Sequence, residues 1–483
     1  MLKSIDVPIQ KKSKGEFYMK NITVKDILNI TNGQKIIGKD EQECVNFSKD
    51  TRTIKKGDVY IGIKGERFDG NLFWEDALNN GASVIIVQNI DFNKEKLSRY
   101  KEQTIIKVDD TLESLYKIAK YKRSLYNIPV IAITGSVGKT STKDIVANVV
   151  AQKYRIIKTE GNNNNNIGLP FTILRLKDEE ALVLEMGMNH LGEISLLTKI
   201  AEPNICVITN IGTSHIGNLG SRENILKAKM EILEGSKDPI VIINNDNDLL
   251  HKWYEENKEK YNIKTYGIKE KSKIQAKSII LNENASSFTV NINEKTIKIE
   301  VPVGGEHFIL NSLCAVCVGE ELNISGEEIF NGIQSFELTK KRMDVVNLKN
   351  GVKIINDAYN ASLESMKASL KYLSDLKDVR KIAVLGDMFE LGDFAKSLHE
   401  KVGEEVYKNG IDILLCSGKN SKYIADKAID FGMKKENVYY FEKKEEILTA
   451  LKEICKKGDV VLFKASNGMK FFDIADKYIK CNS

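Results

Sequence analysis

The run Thr134-Gly135-Ser136-Val137-Gly138-Lys139-Thr140 has the residue types needed to hold a polyphosphate. It follows the apolar stretch Val130-Ile131-Ala132-Ile133 and precedes a helical pattern from Ser141 to Val150. A strand that enters a glycine turn and opens a helix presents backbone N–H groups and a helix N-terminus to phosphate oxygens. Lys139 adds a cation for the terminal phosphates, and Thr140 offers a hydroxyl to Mg²⁺. Gly135, Ser136, Val137, Gly138, Lys139, Thr140 and Ser141 are therefore the expected nucleotide-binding residues. The long P-loop spacing would place glycine at position 133, which is Ile133 here, so the chain carries a shorter form. No Asn-Lys-x-Asp motif is found. An ATP enzyme is favoured over a GTP switch.

Other chemistry-bearing residues sit just after apolar runs. Ala181-Leu182-Val183-Leu184 ends in Glu185, placed beside the P-loop strand to hold Mg²⁺ directly or through water. His215 lies beyond Ile205-Cys206-Val207-Ile208-Thr209-Asn210 and reads equally as a metal ligand or a hydrogen-bonding loop residue. Lys227 and Lys229 read, on their own, as a solvated helix face. The run from Gly161 through Asn162, Asn164 and Asn165 to Pro170 suits substrate contact at the same sheet edge, because asparagine accepts turns and both donates and accepts. Arg342 can reach a γ-phosphate across a cleft, and Asp357 can accept from a ribose hydroxyl or order substrate.

The elements that must position these residues form three blocks behind a flexible leader, residues 1–19, with Met19 as an alternative start. Residues 20–128 mix short strands and helices. Asp58 to Ile63 alternates like a strand, and Ser83 to Val87 reads as a buried one. Residues 129–338 alternate strand and helix, with strands expected at 130–134, 155–158, 181–186, 204–209 and 239–243. That rhythm implies a parallel sheet covered on both faces. Segments within 273–303 alternate as added antiparallel strands, and helices are expected near 305–321 and 325–335. Residues 339–483 form a second doubly wound unit, with strands at 352–357, 381–385, 411–416 and 459–463. The fold class is α/β in three domains. In such sheets ligands bind beyond the carboxyl ends of the strands, where the residues above fall.

Composition agrees with a folded chain that has sizeable cores. The chain has 483 residues, 42% of them hydrophobic. Lys and Arg total 72 against 67 Asp and Glu, a net charge of +5, which gives no argument for nucleic acid. Seven scattered cysteines imply no disulfide framework and suit a reducing cytoplasm. Cys314 and Cys317 fall in an apolar helical pattern and read as core. No run approaches the length of a membrane span.

Together these residues resemble the Mur ligase family, ATP-dependent amide-bond-forming enzymes of peptidoglycan precursor synthesis. The resemblance covers about 20 to 480. Its first block carries Ser48-Lys49-Asp50-Thr51-Arg52, Gly57-Asp58-Val59-Tyr60 and Gly65-Glu66-Arg67-Phe68-Asp69-Gly70. The middle block carries the short P-loop, the asparagine run, Glu185-Met186-Gly187, His215, Ala228-Lys229, and Gly305-Glu306-His307 with Asn311. The last carries Arg342, Asp357-Ala358-Tyr359-Asn360-Ala361 and Leu385-Gly386-Asp387-Met388-Phe389-Glu390-Leu391-Gly392.

The resemblance implies that the first domain binds the uridine nucleotide sugar, through Ser48, Thr51 and Arg52. It implies ATP contacts at His307, Asn311, Arg342 and Asp357, and substrate contacts at Tyr359 and Asn360. Lys139, His215, Lys229 and Arg342 become the catalytic set. Thr140, Glu185, His215 and Lys229 become the neighbourhood of Mg²⁺, two ions in all, with Lys229 as a CO₂-derived carbamate. The Asp-Ala-Tyr-Asn-Ala and Gly-Asp-Met-x-Glu-Leu-Gly stretches, without an Asp-Asn-Pro-Arg motif, resemble members that join D-alanyl-D-alanine to UDP-N-acetylmuramoyl-tripeptide through an acyl phosphate. The departures are Asn71 where histidine is expected, Lys341 for glycine, Ser362-Leu363 for Asn-Pro and Ala465 for glycine. A cytoplasmic monomer is expected. Folylpolyglutamate synthase shares the short P-loop but lacks a nucleotide-sugar domain, and a non-catalytic nucleotide switch is the alternative from another class.

Overall fold

The computed structural model describes residues 21–65, 68–292, 294–338 and 342–482. The 1–19 leader, the Met19 start, Glu66, Arg67 and Lys341 lie outside the described residues. The chain divides into two compact units: residues up to Asn127 with Pro170–Glu180, and Ile128–Leu169 with Ala181 onward.

The first unit holds a five-stranded sheet in the order Gln34–Ile37, Thr104–Lys107, Val84–Val87, Val59–Ile61, Phe47–Ser48. Only the first pair is antiparallel. The strand expected over 58–63 is shortened to Val59–Ile61, and all three residues are buried rather than alternating. A parallel neighbour on each side leaves this strand in the sheet interior, which buries apolar side chains on both faces. Trp74 packs edge-on against Phe92 and Tyr100 in the core. Tyr126 ties in the 170–180 segment by donating to the carbonyls of Leu176 and Lys177.

The second unit contains three sheets. Seven parallel strands run in the order Ile274–Gln275, Asn262–Gly267, Ile240–Asn244, Ile205–Ile208, Val130–Thr134, Ala181–Glu185, Ile156–Lys158. All five residues of Val130–Thr134 are buried, as expected of a central parallel strand. Register sets Glu185 beside Ile133 and Ile208 beside Thr134, so these strands end at one edge. The helix Lys139–Ala151 leaves that edge. It is backed by Glu306–Glu321, whose Leu313 to Val318 are all buried, Cys314 and Cys317 among them. The helix Gly326–Gln334 also lies against it, where a Cβ on Gly332 would come within 2.6 Å of Val149 Cα.

The 273–303 stretch forms the expected antiparallel sheet, Lys277–Leu281, Ser286–Ile292 and Lys295–Val301. Its first residues, Ile274–Gln275, instead extend the parallel sheet. The third sheet runs Asp344–Asn347, Lys353–Asn356, Val460–Lys464, Lys381–Gly386, Ile413–Ser417, Val438–Phe441. The first pair is antiparallel and the rest parallel. The two edge strands, Asp344–Asn347 and Val438–Phe441, were not expected. Both are short and only partly buried, as edge strands paired on one side only.

Candidate active site

A cavity of about 470 Å³ opens where the carboxyl edge of the seven-stranded sheet meets the segments after Lys353–Asn356. Lys139, Glu185, His215, Asn311, Arg342 and Asp357 all line it.

The glycine turn is held from behind by the neighbouring strand. Gly135 has φ 154°. A Cβ there would lie 1.9 Å from Thr209 Oγ1, so only glycine fits. Ser136 N–H donates to the Asn210 carbonyl at 3.1 Å, and Val137 N–H to Asn210 Oδ1 at 2.9 Å. Thr209 Oγ1 donates to the Val137 carbonyl, and Gly212 N–H to Ser136 Oγ. Not every N–H of the turn therefore faces the cavity. Ser136 and Val137 are committed to Asn210, and the helix start from Gly138 is left to meet an anion. Thr209 and Asn210, given no role from sequence, shape the loop; their place at a strand end was the available signal. Lys139 Nζ donates to the Gly135 carbonyl at 2.8 Å. Desolvation is the main cause of its lowered pKa, which Glu185 counters and Arg342 reinforces. Ser141 also lines the cavity.

Glu185 is 2% exposed. Its Oε1 accepts from Asn164 Nδ2 at 2.8 Å, and its Oε2 is buried with no partner. Lys229, on the helix Arg222–Met230, is only 1% exposed. The solvated-face reading is wrong for it, because tertiary packing buries it together with Ile225 and Ala228 on one side of the helix. Burial, and after it the Lys139 charge, hold the Lys229 amine well below its usual pKa. His215 takes a left-handed φ of 64°. Its Nδ1 lies 2.5 Å from Glu390 Oε2, an ion-pair contact. His215 in turn lowers the Glu390 carboxyl below its ordinary value. Among the described residues no three His, Cys, Asp or Glu side chains form a metal cluster by themselves. A cation here would need Thr140 or a phosphate beside Glu185 and His215, and Lys229 is not among the residues that line the cavity.

The third sheet closes the opposite wall. The Arg342 guanidinium lies 4.0 Å over the Tyr359 ring, and its Nη2 donates to Thr140 Oγ1 at 3.1 Å. Its Nε is buried without a partner. Asp357 Oδ2 accepts from Lys464 Nζ at 2.5 Å and from Ser369 Oγ at 2.6 Å, while Oδ1 accepts from Met343 N–H. Lys464 also donates to the Asn360 carbonyl, and Asn467 to that of Tyr359. Lys464, Ser369 and Glu364, whose Oε2 accepts from Thr213, are site residues the sequence reading passed over. His307 keeps some exposure, but desolvation of its ring pulls the pKa down to about 4. Asn311 Oδ1 accepts from Thr142 Oγ1 at 3.0 Å, and its Nδ2 is buried without a partner.

The asparagine run divides by role. Asn164 bonds Glu185, and exposed Asn162 lines the cavity. Asn165 Oδ1 accepts from Ile167 and Gly168 N–H, which closes a local turn. Ser48, Thr51 and Arg52 belong to the other compact unit and cluster there. Arg52 forks onto Asp50 at 2.8 and 2.6 Å, which holds that carboxyl at about 2. Ser48 Oγ donates to the Asp50 carbonyl, and Asp50 caps the Thr51–Thr53 turn. Lys49 Nζ lies over the Phe171 ring.

Family models match in chain order: Mur ligase family, catalytic domain over residues 46–123, Mur ligase middle domain over 133–319, and Mur ligase, glutamate ligase domain over 341–467. A UDP-N-acetylmuramoyl-tripeptide–D-alanyl-D-alanine ligase of Bacillus subtilis (strain 168) is 37% identical over 462 residues, 95% of this chain and 98% of the relative. A crystal structure of MurF from Acinetobacter baumannii aligns with a TM-score of 0.85 at 28% identity, covering 96% of this chain and 99% of that one. MurF ligase of Thermotoga maritima in complex with ADP aligns at 0.78 and 31% identity, over 90% of this chain and 97% of that one. With three family models in sequence and a relative matched over nearly its whole length, the chain belongs to the Mur ligase family.

Proposed function

We propose that the protein joins D-alanyl-D-alanine to UDP-N-acetylmuramoyl-tripeptide, using ATP and passing through an acyl phosphate. The observation that carries this reading is one cavity shared by the short P-loop and the Arg342 and Asp357–Asn360 segments. The 37% identity to the Bacillus subtilis ligase supports the choice of substrates. Residues 20–128 would take the uridine nucleotide sugar through Ser48, Thr51 and Arg52. Residues 129–338 would take ATP, and 339–483 the dipeptide.

The chain's unsatisfied groups fit a nucleotide and its cation. Buried Glu185 Oε2 has no donor, while Arg342 Nε and Asn311 Nδ2 have no acceptor. Bound ATP supplies the phosphoryl group that activates the tripeptide carboxylate, and Mg²⁺ neutralises charge during transfer. Thr140, Glu185, His215 and Lys229 would hold the metal. Lys139 and Arg342 draw charge off the transferring group from opposite walls. Burial lowers the Lys229 pKa and so favours the neutral amine, the form that adds to CO₂. The N–C bond would form as one C=O π bond of CO₂ opens, a proton would leave, and an anionic oxygen ligand would replace the neutral amine. The wall formed by Tyr359 and Arg342 keeps water from the activated carbonyl.

Phosphate release tests the reading. It should require both UDP-N-acetylmuramoyl-tripeptide and D-alanyl-D-alanine, and it should vanish in Lys139→Ala with the fold intact. Nucleotide binding with no dependence on either acceptor would favour a nucleotide switch instead.

A further inference from the structure

The turn that carries His215 and the turn that carries Glu390 meet backbone to backbone. Gly217 N–H donates to the Glu390 carbonyl at 3.0 Å. A Cβ on Gly217 would lie 2.5 Å from Gly392 N and 2.7 Å from Glu390 O. One on Gly392 would lie 3.1 Å from Gly217 Cα. Two facing glycines thus permit an approach that other residues would block. His215 and Glu390 themselves hold left-handed backbone, φ 64° and 62°. Residues other than glycine adopt that region at a cost, and such strain concentrates at functional sites.

The Glu390 turn is also pinned from its own side. Met388 N–H donates to His399 Nε2 at 2.9 Å, and Phe389 N–H to Ser466 Oγ at 2.8 Å. Asp387 Oδ1 accepts from Asn420 and Ser421 N–H at the start of the helix Ser421–Asp430. The outcome of these restraints is one carboxylate oxygen 2.5 Å from His215 Nδ1.

In a neutral imidazole one ring nitrogen carries the proton and the other a lone pair. A carboxylate at one nitrogen draws the proton there and leaves the other as the ligand atom. We propose that Glu390 is a positioning residue for His215, fixing its ring orientation and its Nδ1–H tautomer so that Nε2 keeps its lone pair for the cation of the phosphoryl-transfer site. The role of that cation rests on the ligase reading above. Because Glu390 comes from the third sheet and His215 from the seven-stranded one, His215 becomes competent only when the 386–392 turn is docked on it. The device couples assembly of the metal neighbourhood to engagement of the dipeptide-side domain.

The test reads the tautomer directly. The chain has 5 histidines, so ¹⁵N-histidine NMR of the intact protein resolves them, and His215→Gln identifies the His215 signals. In the wild type His215 is expected as the Nδ1–H form. Glu390→Ala should move it toward the Nε2–H form. Glu390→Gly should do the same while relieving the positive φ, so a folding defect in the alanine variant leaves the test intact. Glu390→Gln still accepts at its amide oxygen and should restore the wild-type signal. With Mn²⁺ and ATP as the probe, both truncations should weaken metal binding by about 10–100-fold. They should lower kcat more than they raise KM for the dipeptide. An unchanged tautomer in the truncated variants, or a glutamine variant as perturbed as alanine, overturns the proposal. The tautomer is read without substrates, so this failure is distinct from failure of the ligase reading, which absent acceptor-dependent phosphate release would show.

Discussion

Replacing Lys229 with methionine should stabilise the ligand-free protein while destroying its activity. Lys229 is 1% exposed, and its pKa lies well below 10.5 because burial and then the Lys139 charge oppose protonation. The sign follows from linkage. Between the lowered folded pKa and 10.5, the unfolded chain binds the extra proton, so wild-type stability rises with pH. Below the folded pKa both states are charged and the full penalty is present. Above 10.5 neither is charged and the penalty is gone. Within the window each pH unit changes wild-type stability by about 1.4 kcal/mol, a slope Lys229→Met lacks. The methionine advantage should therefore shrink as pH rises and close at the unfolded value. Urea unfolding in CO₂-free buffer between about pH 7 and about pH 10 measures it. Of the 2 tryptophans, Trp253 reports this unit once Trp74 is changed to phenylalanine in both proteins. A stability difference that is flat with pH would refute the account of a desolvated amine beside the Lys139 charge. Bicarbonate should raise wild-type stability and leave the variant unchanged.

Three further substitutions probe the cavity walls. Gly135→Ala puts a Cβ 1.9 Å from Thr209 Oγ1 and should cost about 1–3 kcal/mol in thermal unfolding, with ATP binding lost in calorimetry. Arg342→Lys keeps the charge but loses the planar stack on Tyr359. It should lose about 1–2 kcal/mol of transition-state stabilisation, read as a fall in kcat/KM with stability unchanged. Asp357→Asn leaves Lys464, 2% exposed, without its anion, and should destabilise by about 3–5 kcal/mol in urea unfolding.

The parts of the site legible in the chain are those whose chemistry is local. A phosphate loop needs its strand, glycines, lysine and helix within one short segment, so Val130 to Val150 reads directly. Strand-end acids such as Glu185 follow from the rule that parallel sheets bind ligands at their carboxyl edge. Lys229 was hidden because its helix carries Arg222, Glu223, Lys227 and Lys229 within eight residues, and nothing local says which side is buried. The roles of Asn210 and Lys464 depend on contacts 73 and 107 residues away in the chain. The strand Val438–Phe441 was missed because an edge position leaves it partly exposed. The His215–Glu390 contact rests on two left-handed turns and two glycines, and neither turn has a pattern that names the other.

On the ligase reading the tripeptide carboxylate is activated by phosphoryl transfer in the cavity between Lys139 and Arg342. The direct measurement uses substrate labelled with ¹⁸O in that carboxylate, with mass analysis of the phosphate released. An acyl phosphate leaves with a carboxylate oxygen, so an ¹⁸O atom should appear in each phosphate formed along with peptide product. Unlabelled phosphate released at the same rate as product would contradict it.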